Sequence, residues 1–314
     1  MSRLILIIFS VFASQQAFSS LKIGDVYIDQ SYLKKVVTEL SVNIGARNFD
    51  QSEGLEKASR YIVGEFEKQG HKVVLQKYVI EEIDEVENII VSLGPKDAER
   101  IVVGAHYDTY RDQPGADDNA SGVAGLLALA GFLKKHESNL KRRIDFVAYT
   151  LEEPPFFRSE FMGSYIHAKS LKDNNIDVLG MISLEMIGYY SNKENSQEYP
   201  LGLMKIMYPT TGDFIGVVSN VSSNGLKSQF AEYLAVSSIP VETLSAPSWL
   251  VGVDFSDHLN YWQFGYDAIM VTDTAFYRNA NYHQKTDIIE TLNFKLMAEV
   301  IRGVSYGLFM LANK

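Results

Sequence analysis

The chain of 314 residues contains no cysteine. That absence removes disulfides, thiolate zinc sites and cysteine nucleophiles together, so any metal here must be held by His, Asp and Glu. Basic charge is also scarce: 29 Lys and Arg stand against 39 Asp and Glu, a formal net charge of −10. Binding a polyanion needs clustered Lys and Arg, and the chain shows no such cluster, which excludes a nucleic-acid surface. Repeats, low-complexity tracts and long linkers are missing too, favouring one α/β domain from residue 20 to 314. The longest N-terminal apolar run, Leu4 to Ala13, is too short to span a bilayer comfortably. It follows a lone Arg and precedes small and polar residues, with Ala17 and Ser19 at the small positions before a cut near Ser20. This order predicts a secretory signal peptide over residues 1–19 and an acidic periplasmic or secreted protein, free of the membrane once the signal is removed.

What is present is a rhythm of strands and helices. The segments "DQSYLKKVVTELSV" and "DQSEGLEKASRYIVGEFEKQG" read as helices, the second opening at Asp50 or Ser52 and closing at Gly70. Strands follow in "HKVVLQKYVI", "VENIIVSLG" and "ERIVVGAHYD", the last an almost wholly apolar run suited to a strand buried on both faces. Next come a helix in "SGVAGLLALAGFLKKH" with Asn119 or Ser121 near its cap, a strand in "RRIDFVAYTLEE", a helix in "GSYIHAKSLKD" and a strand in "VLGMISLEMIGYY". Beyond a polar, irregular stretch from Ser191 to Pro209, "NGLKSQFAEYLAVS" reads as helix, "DAIMVTDTA" as strand and "NFKLMAEVIRGVSYGLFMLANK" as a closing helix. Alternation of this kind predicts a single doubly wound, mostly parallel sheet flanked by helices.

In such a sheet, ligands bind beyond the carboxyl ends of the strands. His106 stands at the end of "RIVVGA", Glu152 and Glu153 after "IDFVAYTL", Glu185 after "LGMISL", and Asp273 and then His283 after "DAIMVT". A lone histidine at a strand end is more often a satisfied structural residue than a ligand, and Asp117 and Asp118 could simply cap the following helix. Independent turns, however, have no reason to place metal-type ligands at one strand end after another. The remaining histidines, His71, His136 and His167, lie on or beside predicted helices and suit packing or solvation.

The motifs "GAHYDT", "PGADDNASG", "LEEPP", "FMGSYIHA", "SLEMIGYY", "FSDH" and "NYHQKTD" resemble, in this order, the zinc-dependent exopeptidases of the bacterial leucyl aminopeptidase and glutamate carboxypeptidase group. The resemblance spans roughly Ile101 to Leu292. It implies two zinc ions about 3.5 Å apart. His106 and Glu185 would hold one zinc and Glu153 and His283 the other, with Asp118 as the bridging carboxylate. The family more often has Asp where this chain has Glu185. Asp108 resembles the carboxylate that orients a histidine ligand. Glu152 resembles the general base that takes a proton from the zinc-activated water and returns it to the leaving amine. Tyr282 resembles a donor to the developing oxyanion. Asp257 and His258 belong to a motif near the site without being zinc ligands. The implied function is an exported metallo-aminopeptidase acting on peptides with a free N-terminus. Rival readings are a single-zinc glutaminyl cyclase-like acyltransferase and a catalytically silent binding protein of the same fold. Trp249, Leu250 and Val251, close to "FSDH", hint at an apolar pocket.

Overall fold

The computed structural model describes residues 21–81 and 83–314, without the side chains of residues 83 and 84. The expected signal peptide at residues 1–19 lies outside the described residues. In chain order the main elements are α1 (Gln30–Thr38), α2 (Ser52–Lys68), β1 (Val74–Ile80), β2 (Ile83–Leu93), β3 (Arg100–His106), α3 (Gly122–Lys134), β4 (Arg143–Tyr149), α4 (Gly163–Asp173) and β5 (Val178–Glu185). There follow α5 (Met204–Met207), β6 (Ile215–Ser219), α6 (Asn224–Leu234), β7 (Val241–Ser245), α7 (His258–Gln263), β8 (Ala268–Thr272) and α8 (Phe294–Asn313).

The strands form one eight-stranded sheet in the order β1-β2-β4-β3-β5-β8-β6-β7. Its centre, β4-β3-β5-β8, is parallel. The β1–β2, β2–β4 and β8–β6 pairs are antiparallel, and β7 runs parallel to β6. Alternation divides β3 between two layers, as a pleated strand requires. Ile101, Val103 and Ala105 join the larger core with buried residues of α3 and α8, while Val102 joins Val147, Met181 and Tyr261 in a smaller core with Ala168 and Leu171 of α4. Helices therefore cover both faces, which explains why β3, β4 and β5 are near-continuous apolar runs.

One expectation about caps changes and the other resolves in favour of Asn119. The turn before α2 is capped by Asn48, whose side chain accepts from Asp50 and Gln51 amides, rather than by Asp50 or Ser52. At α3, the Asn119 side chain accepts from the Gly122 amide, while Ser121 donates to the Asp117 carbonyl and takes the Ile187 amide. Strands β6 and β7 and helix α7 were not legible as separate elements. In the parallel centre, β3 is followed by β4 on one side and β5 on the other, so the strand order reverses at β3. A crevice opens there at the carboxyl rim.

Candidate metal centre

His106 ends β3 with its ring buried, and Asp108 two residues on fixes the surroundings. One Asp108 oxygen lies 3.4 Å from His106 Nδ1 and also accepts the Glu152 amide at 3.1 Å, while the other accepts the Glu153 amide at 3.0 Å. A single carboxylate thus sets the ring of one strand end and the turn of the next.

Asp117 and Asp118 take different directions. Asp117 turns inward, accepting from the Gly188 amide and the Asn279 side chain at 2.9 Å each. Asp118 faces the crevice, with Oδ1 3.3 Å from His106 Nε2 and Oδ2 3.3 Å from His283 Nε2. Their amides are held by the two oxygens of Asp287, from the "QKTD" end of the last motif. Neither aspartate side chain caps α3. Ahead of them, Gly115 has φ +57°, and a Cβ there would stand 2.3 Å from the Asp118 carbonyl, so only glycine suits this turn.

The remaining groups close the arrangement. Glu185 Oε2 lies 3.4 Å from His106 Nε2 and accepts from Ser256 at 2.7 Å, so the hydroxyl of "FSDH" locates the longer carboxylate arm. Glu153 Oε2 is 3.2 Å from His283 Nε2. His283 sits at φ +57° on a loop, its ring between Tyr110 at 4.1 Å and Tyr282 at 3.8 Å. The result is two triads, His106–Asp118–Glu185 and Asp118–Glu153–His283, that share Asp118.

The electrostatics fit cations. Burial disfavours charge on His283, yet Asp118 and Glu153 outweigh it and push its pKa up to about 10. Burial likewise opposes protonation of His106, but Glu185 and Glu152 raise its pKa well above the ordinary value. Against its own burial, Asp118 is held below the usual carboxylate range by the two histidines. Both ring nitrogens of His106, Nε2 of His283 and Oε1 of Glu153 are buried without a well-formed hydrogen bond. Imidazole nitrogens and carboxylate oxygens orphaned in this way are the donor set of a zinc site.

Glu152 lies beside the triads, its Oε2 4.0 Å from His106 Nε2, and lines the cavity that opens from them. Burial, followed by the neighbouring Glu153 and Glu185, raises its pKa well above the ordinary value, against the pull of His106. Tyr282 lines the same cavity. Asp257 is buried with neither oxygen in a well-formed hydrogen bond, and burial pushes its pKa up to about 7. His258 turns away from the triads: its Nε2 meets the Val253 carbonyl at 2.8 Å and its ring packs edge-on against Trp262. Val251 lines the cavity, whereas Trp249 is 79% exposed, so the apolar hint holds for only part of that loop.

One contributor carried no sequence signal. Arg47, fully buried, donates to the carbonyls of Tyr107, Pro114 and Gly115 at 2.7, 2.6 and 2.9 Å, tying down both ends of the loop that carries Asp108. Burial brings its pKa down to about 10, with Asp287, Asp108 and Asp118 opposing.

Residues 88–307 match the model of peptidase family M28. The chain belongs to that family. Across 281 residues it is 44% identical to the uncharacterized protein YfbL of Escherichia coli K12, covering 87% of this chain and 85% of YfbL. It is 25% identical to leucine aminopeptidase 1 of Ajellomyces capsulatus over 70% of this chain, which spans 56% of that relative. Among solved structures, BSAP, a zinc aminopeptidase from Bacillus subtilis, superposes with a TM-score of 0.71 at 15% identity, covering 91% of this chain and 96% of that one. A glutaminyl cyclase from Porphyromonas gingivalis gives 0.67 at 20% identity, covering 90% and 99%. At these identities the two structures establish the fold alone, an α/β sheet flanked by helices, and leave the reaction to the site.

Proposed function

We propose that this M28 peptidase is an exported aminopeptidase that uses two zinc ions to remove N-terminal residues from peptides. One observation carries the two-metal reading: Asp118 presents a separate oxygen to each of two histidines, with Glu185 completing one triad and Glu153 the other. Four carboxylates, Asp118, Glu152, Glu153 and Glu185, surround the place where two divalent cations would sit, and their charges balance. His106 and Glu185 would hold one ion, Glu153 and His283 the other, and Asp118 both.

Bound zinc would supply Lewis acidity, lowering the pKa of a water and polarising the scissile carbonyl. The protein's own groups do the rest. Glu152, which makes no hydrogen bond through its carboxylate among the described residues, takes a proton from the attacking water and returns it to the departing amine. Its backbone is pinned by Asp108, so the carboxylate is aimed before substrate arrives. The Tyr282 hydroxyl donates to the carbonyl oxygen as negative charge develops there.

The deciding experiment measures zinc per chain while following amino-acid release from unblocked and N-acetylated peptides. Two zinc ions with hydrolysis that requires a free N-terminus support the reading. One zinc with cyclisation of N-terminal glutamine replaces it with a cyclase, and bound metal with no turnover replaces it with a binding protein. The mass of the exported chain reports the signal cleavage. No helix among the described residues is long and apolar enough to cross a membrane.

A further inference from the structure

The cavity that starts at Glu152 and Glu185 has a volume of about 440 Å³ and runs away from the metal ligands over the sheet face of β8, β6 and β7. Its floor follows from strand register. Glu185 pairs with Thr272, Thr272 with Gly216, and Gly216 with Glu242, so these four form one cross-strand row in which the Glu185, Thr272 and Glu242 side chains share a face. Met270, Val218 and Leu244 form the next row and also line the cavity. Three strand spacings place the Glu242 backbone ~14 Å from that of Glu185. Gly216 keeps a side chain out of the row between them, where a Cβ would already meet the Thr272 carbonyl oxygen at 3.2 Å.

The far end of this trough has a distinct chemistry. Tyr199 and Tyr208 stand with ring centroids 5.6 Å apart, and their hydroxyls are already engaged with the Pro209 and Thr243 carbonyls. Glu198 is paired with Lys205 at 2.6 Å. Glu242 differs from all of these. Among the described residues its carboxylate has neither a hydrogen bond nor a cation, although burial raises its pKa. An unpaired, partly buried carboxylate beside aromatic rings is a receptor for a cation. The apolar walls in front of it suit an aliphatic stem.

We propose that this cavity receives the side chain of the substrate's N-terminal residue and that Glu242 selects a cationic one, lysine or arginine. The inference rests on the aminopeptidase reading and adds the residue that sets its preference. Norleucine is the sharpest comparison, since it keeps an aliphatic stem and lacks the ammonium. Zinc-loaded wild-type protein and Glu242→Gln would be assayed with p-nitroanilides of lysine, arginine and norleucine. Binding of lysine amide and norleucine amide to Glu152→Gln would be measured by calorimetry as a readout without turnover. The expected result is a kcat/KM for lysine at least tenfold above norleucine in wild type, a ratio that collapses toward unity in Glu242→Gln. The calorimetric preference should have the same sign. Norleucine processed and bound as well as lysine, or a ratio unchanged by Glu242→Gln, overturns the assignment of Glu242 while leaving the aminopeptidase in place. Turnover of no unblocked substrate by zinc-loaded protein overturns both.

Discussion

The two sides of the sheet that meet at β8 are built differently. On one side, β3, β4 and β5 are parallel and buried on both faces, and their carboxyl ends deliver His106, Glu152, Glu153 and Glu185 to one rim. On the other, β6 runs antiparallel to β8, β7 is an edge strand, and every residue of β7 is partly exposed. The first side offers little freedom, because each functional group is fixed by a partner such as Asp108, Ser256 or Asp287. The second offers a trough floored by small and apolar residues with one unpaired carboxylate. Under the proposed function, reaction and selectivity would be carried by different strands, so each should be open to alteration without the other.

The largest effect should come from the reaction side. Glu152→Gln removes the proton carrier and keeps the shape, so kcat should fall by roughly 10² to 10⁴-fold. Zinc content should stay at the wild-type level, because Glu152 belongs to neither triad. Stopped assays with metal analysis on the same samples check this. Loss of metal together with activity would make Glu152 a ligand and dissolve the separation of roles.

Next in size is the support beneath that rim. Replacing Arg47 with Met removes a buried cation that ties down the Tyr107, Pro114 and Gly115 carbonyls and faces Asp287, Asp108 and Asp118. Leaving those buried carbonyls without their donor, and the nearby acids without its charge, should cost about 3–5 kcal/mol, seen as a fall in the denaturation midpoint. An equal loss of stability on replacing the partly exposed Glu242 would contradict the contrast between the two sides.

The same contrast explains what could be read from the sequence. The reaction side was legible because buried parallel strands are apolar runs and each ends in a chemically conspicuous residue, as "RIVVGA" ends in His106. The motif order then carried the family and the fold. The selectivity side was not, because "IGVVS" and "VETLS" are five residues each, interrupted by glycine or by polar residues, and draw their strand character from neighbours. Glu242 was invisible for that reason. Arg47 was missed for another: the partners that tie it to the site, Tyr107, Pro114 and Gly115, lie 60 to 68 residues away, and nothing in the local sequence marks a loop arginine as buried. Spacing alone could not choose between Asp117 and Asp118 either, since the choice depends on where the chain turns after Gly115.

A third prediction probes the layer behind the parallel strands. His167 on α4 is buried, its Nδ1 2.6 Å from the Tyr261 hydroxyl, which also meets the Tyr149 hydroxyl at 2.7 Å. Burial lowers its pKa from 6.5 to about 4. Between those values the unfolded chain binds a proton that the folded chain refuses. Stability from this group is therefore complete above pH 6.5 and lost as the pH falls toward 4, by ~3 kcal/mol in all. Urea denaturation across that window, compared between wild type and His167→Gln, should show a shallower decline in the variant. Identical slopes would mean that His167 titrates alike folded and unfolded, and that this layer is wetter than the packing indicates.

The smallest effect, and the most selective, should come from filling the trough. Gly216 lies between Thr272 and Glu242 in the cross-strand row, and a Cβ there would meet the Thr272 carbonyl oxygen at 3.2 Å and the Thr274 and Thr272 methyls at 3.6 and 3.7 Å. Valine adds branched bulk in the path from the two triads to Glu242. Its β-branching suits a strand, but the close approach to the Thr272 carbonyl requires the denaturation midpoint of the variant to be measured beside its activity. For a substrate beginning with alanine, whose side chain ends before the obstruction, kcat/KM should change little. For one beginning with lysine it should fall by about 10 to 100-fold, the scale on which a pocket discriminates by shape. Zinc content and the Glu152-dependent step should be untouched. A uniform loss for alanine and lysine would show that Gly216 acts on the reacting groups through β8, and that the two sides of the sheet are one mechanical unit.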